Sequence, residues 1–271
     1  MKKISIIAVI ALLAFASCDK TENVTPINDN TIVCLPEGDN SKYAFNGRSA
    51  TYVFSPGDSI QVGDMRLHLT LMTQTMASIP LHPVMSASNT IYPADYVDHV
   101  DNGIPHFIVP QRMIFAKYGA WDRNLYYPHR YNYSSNGYVY ITPFMQIADY
   151  NVQLTKRYAS SIGIKTITID SIELISNRTI TGMAHLGTSG STVFDSGSDR
   201  LILVPHDSQS ATAMLERQEA ILGYAYFPGF ATMRVHWHGR GVSGVKYLSY
   251  NSSMIGNTNG NMMRLTVNIT L

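Results

Sequence analysis

Apolar and polar residues alternate with a period of two along much of this chain. Met65, Leu67, Leu69 and Leu71 alternate with Arg66, His68, Thr70 and Met72, the pattern of a strand that buries one face. Similar short runs predict strands at Thr51 to Phe54, Ile104 to Val109, Met113 to Tyr118 and Tyr138 to Thr142. The second half adds Tyr150 to Thr155, Ile162 to Ile169, Ser171 to Ile175, Leu201 to Val204, Met233 to Trp237 and Val245 to Tyr250. Gly, Pro, Asn and Ser separate these runs, which is the spacing of a β-sandwich rather than of βαβ units. The clearest strand comes last, with Met263, Leu265, Val267, Ile269 and Leu271 on one face and Arg264, Thr266, Asn268 and Thr270 on the other. Such a strand is expected to be an edge, a closing strand, or one donated to a neighbour. Ser210 to Leu222 departs from the pattern. Its Ala, Met, Leu, Glu, Arg and Gln, with Asp207 or Ser208 as N-cap and Gly223 as C′ residue, fit a short helix as well as a strand pair. The expected fold class is all-β with at most one short helix.

The chain opens differently. Lys2 and Lys3 precede an apolar run from Ile4 to Phe15, the length of a signal-peptide core and too short to span a bilayer. Ala16, Ser17 and Cys18 then resemble a bacterial lipobox, although Phe15 stands where an aliphatic residue is usual. Residues 1–17 are therefore expected to be a lipoprotein signal peptide and Cys18 the acylated residue. An ordinary secretory signal cut near Ser17 is the alternative. Residues 18–42, rich in Asp, Thr, Asn, Pro and Glu, read as a tether, with order beginning near Tyr43. Once Cys18 carries lipid, Cys34 has no intramolecular partner.

Composition narrows the class. With 271 residues, 20 Lys plus Arg against 19 Asp plus Glu and a net charge of +1, the chain has no electrostatic bias towards nucleic acid. Only 14 % of residues are charged and 17 are Tyr, which suits half-buried sheets and not a charge-laced helical bundle.

Candidate chemistry is sparse. His236 and His238 flank Trp237 and share the polar strand face with Arg234, so two imidazoles stand about 6.5 to 7 Å apart. No third ligand is identifiable, and a solvated sheet face is the plainer reading. His68, His82, His99, His106, His129, His185 and His206 scatter without catalytic spacing. Asp195 and Asp199 lack the twelve-residue calcium-loop pattern. The reading is thus of no enzyme, no metal and no cofactor. Trp121, Tyr126, Tyr127, Tyr131 and Tyr133, interleaved with Arg123, His129, Arg130 and Asn132, are the candidate ligand site, because aromatic faces beside polar donors suit sugars.

One stretch carries a resemblance. Phe144, Met145, Gln146, Ile147, Ala148, Asp149, Tyr150, Asn151, Val152, Gln153 and Leu154, followed by Ile167 to Leu174, by Leu203, Val204 and Pro205, and by the terminal strand, resemble the fimbrillin family, the Mfa-like and FimA-like type V pilus subunits of Bacteroidetes. Gln146 stands where that family usually has His. The resemblance implies two transthyretin-like β-sandwich domains, residues 43–143 and 144–271, divided near Pro143. It also implies a lipidated precursor, anchored in the outer membrane and exposed at the cell surface, whose first strand a trypsin-like protease removes after a basic residue. Arg48, followed by Ser49, lies about where the family places that cut. The groove left open accepts a strand from another fimbrial subunit, and the Met263 to Leu271 strand is expected to serve in assembly. The rival expectation is a free outer-membrane lipoprotein that binds a host or other glycan through the Tyr-rich segment. Asp58, Ser59, Ile60 and Asp170, Ser171, Ile172 resemble the short O-glycosylation pattern of Bacteroidetes, Asp then Ser or Thr then an apolar residue.

Overall fold

The computed structural model describes residues 31–36, 42–45, 48–51, 54, 56–73, 76–80, 85–115, 129–133, 138–143, 147–209, 211–216, 219–257 and 265–271. Its strands are short. The first are β1 (Thr31–Pro36), β2 (Lys42–Phe45), β3 (Arg48–Thr51), β4 (Ser59–Val62), β5 (Met65–His68), β6 (Thr70–Thr73) and β7 (Met76–Pro80). Then come β8 (Thr90–Tyr92), β9 (Val97–Asp101), β10 (Ile104–Val109), β11 (Arg112–Ile114), β12 (His129–Tyr133), β13 (Tyr138–Pro143) and β14 (Ile147–Gln153). A helix, α1 (Lys156–Ile162), precedes β15 (Thr166–Ile175), β16 (Thr181–Leu186), β17 (Thr192–Ser198), β18 (Arg200–Val204) and β19 (Thr212–Met214). The last are β20 (Glu219–Tyr226), β21 (Thr232–Gly239), β22 (Val242–Ser249), β23 (Ile255–Asn257) and β24 (Leu265–Thr270). Among the described residues the molecule is all-β with one short α-helix.

An eight-stranded sheet runs β5-β4-β8-β12-β13-β1-β7-β6. Its core is Phe54, Ile60, Val62, Leu69, Ala77, Ile79 and Tyr92. A larger core gathers residues from three other sheets: β17-β16-β10-β9, β11-β18-β15-β21-β22 with β19 on β15, and β20-β14-β24-β23. At its centre lie Phe107, Phe115, Tyr150, Ile172, Leu174, Val235 and Ile269, all buried. Burial pushes the Tyr226 hydroxyl up to about 12, with Arg178 pulling the other way.

Hydrogen-bonded pairing crosses the expected boundary at Pro143. β10 pairs with β16, His106 facing His185 and Phe107 facing Ala184, and β11 runs parallel to β18. Residues 97–115 therefore share a core with the described residues of 147–271, while β12 and β13 return the chain to the eight-stranded sheet. The eight-stranded sheet and the larger core are interleaved in sequence, not divided at one point.

Two further expectations meet corrections, and one left open is decided. Within the stretch read as tether, β1 is an inner strand, parallel to β13 and antiparallel to β7. Its Ile32, Val33, Cys34 and Leu35 are a continuous apolar run, which suits a strand with neighbours on both sides better than a solvated linker. Second, of the two forms left open for Ser210 to Leu222, the chain takes the strand pair, with β19 on β15 and β20 on β14. Ala211, Ala213, Ala220 and Leu222 are buried at two-residue spacing, so tertiary pairing outweighs helix propensity there. The helix lies instead at α1, where the Thr155 hydroxyl accepts from the Tyr158 N–H at 3.2 Å and Gly163, at φ 69°, ends it. Third, the run from Met65 breaks into β5 and β6 at Leu69, whose N–H donates to the Asp58 carbonyl at 2.9 Å.

Candidate functional site

β1 fills a slot. Val33 to Pro36 pair with Tyr138 to Ile141 on one side, and Thr31 to Cys34 pair with Pro80 to Ala77 on the other. β1 lies upstream of Arg48. Arg48 is the first residue of β3 and pairs with Phe45, with Ser49 opposite Ala44, so it stands at the end of a hairpin. Cys18 lies outside the described residues.

β24 keeps its alternation. Val267, Ile269 and Leu271 are buried, and β24 sits between β14, to which it is parallel, and β23. The Leu271 N–H donates to the Gln153 carbonyl at 2.8 Å, and the Thr155 N–H and hydroxyl both donate to the Leu271 carbonyl. This strand is therefore held within its own fold. Leu265 begins it, and Met263 lies outside the described residues.

Of the candidate ligand residues, Trp121, Tyr126 and Tyr127 lie outside the described residues. Tyr131 and Tyr133 stand in β12 in register with Ile141 and Val139. Ser59 of the first glycosylation-like triplet is buried, and its hydroxyl accepts from Arg66 Nε at 2.9 Å. Folding closes that hydroxyl to modification.

His236 and His238 do lie on the outer face of β21, opposite the buried Met233, Val235 and Trp237. They do not share a partner. His238 Nδ1 meets Asp170 at 2.6 Å, while His236 Nε2 is 3.9 Å from Glu173. Glu173 is held mainly by Arg200 and Arg234, each at 3.1 Å.

A second polar row is the part that sequence spacing missed. It crosses the sheet β17-β16-β10-β9. His99 in β9 faces His106 in β10, and His106 faces His185 in β16. The His99 and His106 rings stack at 4.7 Å and 10°, and the His106 and His185 rings are 5.1 Å apart. The pairing of β16 with β17 shifts between Met183 and Ala184, which pair with Ser196 and Phe194, leaving Asp195 as the extra residue. Such a bulge re-aims a side chain. Asp195 consequently reaches His106 Nδ1 at 3.0 Å and His185 Nδ1 at 3.0 Å. Desolvation pushes the Asp195 carboxyl up, but hydrogen bonding and charge from His185 and then His106 outweigh it and hold the group below its usual value. A matching shift in β9 leaves Asp98 unpaired in the ladder, and Asp98 meets His99 Nδ1 at 2.9 Å.

No family model matches the chain, and no curated protein matches it. Among solved structures, it is similar to a fimbrial protein from Bacteroides vulgatus, with 9% identity over 90% of this chain and 96% of that one, at a TM-score of 0.40. It is also similar to a candidate cell adhesion protein from Bacteroides uniformis, with 13% identity over 89% of this chain and 92% of that one, at a TM-score of 0.42.

Proposed function

We propose that this chain is a cell-surface structural or adhesion subunit of fimbrillin type, delivered to the outer membrane through lipid on Cys18 and assembled by strand exchange. The observation that supports this reading is the placement of β1 between β13 and β7, upstream of Arg48. A cut after Arg48 would remove an inner strand of the eight-stranded sheet and leave two facing edges. Unpaired edges are unfavourable until another strand occupies them, and β-strand addition does so with main-chain hydrogen bonds. Assembly on this route needs no catalytic group in the chain itself.

Limited digestion with an arginine-specific protease, followed by N-terminal sequencing and unheated SDS electrophoresis, tests the reading. A product beginning at Ser49 that forms SDS-resistant ladders, both absent in Arg48→Ala, is the expected result. Cleavage without ladders would remove the strand-exchange role. A chain that keeps an acylated Cys18 and resists the protease would instead be an anchoring or free surface lipoprotein.

A further inference from the structure

We propose that His106, His185 and Asp195 bind one divalent transition-metal ion of the zinc class, with a further coordination position open at the surface. The three donors come from three adjacent strands, and their ligand atoms lie within 4.8 Å of one another. Two imidazole nitrogens and one carboxylate oxygen are a borderline donor set, which suits zinc, copper or nickel and not magnesium or calcium. Three protein ligands leave room for a water or an outside donor.

No Lys or Arg among the described residues competes for the carboxylate. Among the described residues, the ion-pair partners of Asp195 are His106 and His185, with no Lys or Arg between them. The donors are also reachable from solvent, their side chains being 16%, 23% and 36% exposed for His106, His185 and Asp195. His99 acts as a positioning residue, since its ring stacks on His106 and is itself fixed by Asp98. Two neutral imidazoles around one carboxylate carry a single negative charge, which a dication overcompensates by one. A bound ion would join β10, β16 and β17 across the sheet without altering their pairing.

Calorimetric titration of the EDTA-treated, dialysed full chain with zinc chloride, at slightly alkaline pH where imidazole is unprotonated, provides the test. The expected result is one zinc per chain, with affinity reduced at least about 100-fold in Asp195→Asn and in His185→Gln. His236→Gln and His238→Gln should leave it unchanged, and magnesium or calcium should give no comparable binding. Cobalt should give the visible absorption of a nitrogen- and oxygen-ligated ion in the parent chain and lose it in both site variants. Circular dichroism melts without metal check that each variant is folded, and His106→Gln replaces either one that is not. Absence of zinc binding, binding that persists in the site variants, or binding lost with His236 or His238 would overturn the proposal.

Discussion

Two polar rows lie over the same large core, and they handle charge in opposite ways. On the outer face of the six-stranded sheet, Glu173 is buried and takes one guanidinium on each oxygen, Arg200 on Oε1 and Arg234 on Oε2. Arg234 is in direct register with Glu173 and also lies over the Tyr247 ring. Two guanidiniums occupy that carboxylate, and His236 stands 3.9 Å away. On the sheet β17-β16-β10-β9, the ion-pair partners of Asp195 among the described residues are imidazoles. The first row ties strands through guanidiniums, whereas the second surrounds its carboxylate with imidazoles. Bulges serve both rows, because Asp170 beside His238 is also an extra residue, left between Ile169 and Ser171 where β15 shifts register.

The strongest way to break the comparison is to remove the backbone support of the histidine row. Gly182 and Gly197 face one another in β16 and β17, at φ 124° and 154°. A Cβ on Gly197 would stand 1.8 Å from the Thr181 carbonyl oxygen. Gly197→Ala is therefore expected to destabilise the chain by about 3 kcal/mol, through backbone displacement and strain. Urea unfolding measures this, and a loss below about 1 kcal/mol would show that the strands part without penalty. Glu173→Gln comes next. It leaves two guanidiniums against a neutral amide, and because Arg200 and Arg234 are 46% and 32% exposed, the expected loss is about 2 kcal/mol rather than that of a fully buried pair. Arg200→Ala, removing the more exposed cation, should lose less than about 1 kcal/mol.

The glycines and the rows were legible in sequence to different degrees. Alternation located Ile104 to Val109 with both ends correct, and it placed His236 and His238 on the outer face of β21. A period of two reports which face a residue takes, and nothing more. His99, His106, His185 and Asp195 meet because β9, β10, β16 and β17 are neighbours in register, and pairing between residues 106 and 185 leaves no local trace. Bulges are harder still, since the extra residue looks like any other polar position. β1 was hidden for another reason. Its four apolar residues are flanked by polar stretches, and composition averaged over 18–42 conceals so short a run. The helix at α1 had a readable cap pair in Thr155 and Gly163, but the strand patterns on either side dominate that region.

The smallest expected effect sharpens the comparison most. Asp195→Asn keeps the shape of the side chain while removing its charge, and the amide can still bond His106 or His185. Asp195 and both histidines are partly exposed, so water replaces much of what is lost, and the metal-free chain should lose under about 1 kcal/mol. Glu173→Gln, also isosteric, should lose distinctly more under the same conditions. Denaturant unfolding of both variants in EDTA compares them directly. A larger loss at Asp195 than at Glu173 would mean that the histidine row is itself a structural clamp. A small loss that grows when zinc is restored, because only the parent chain gains stability by binding, would separate the two rows by function as well as by geometry.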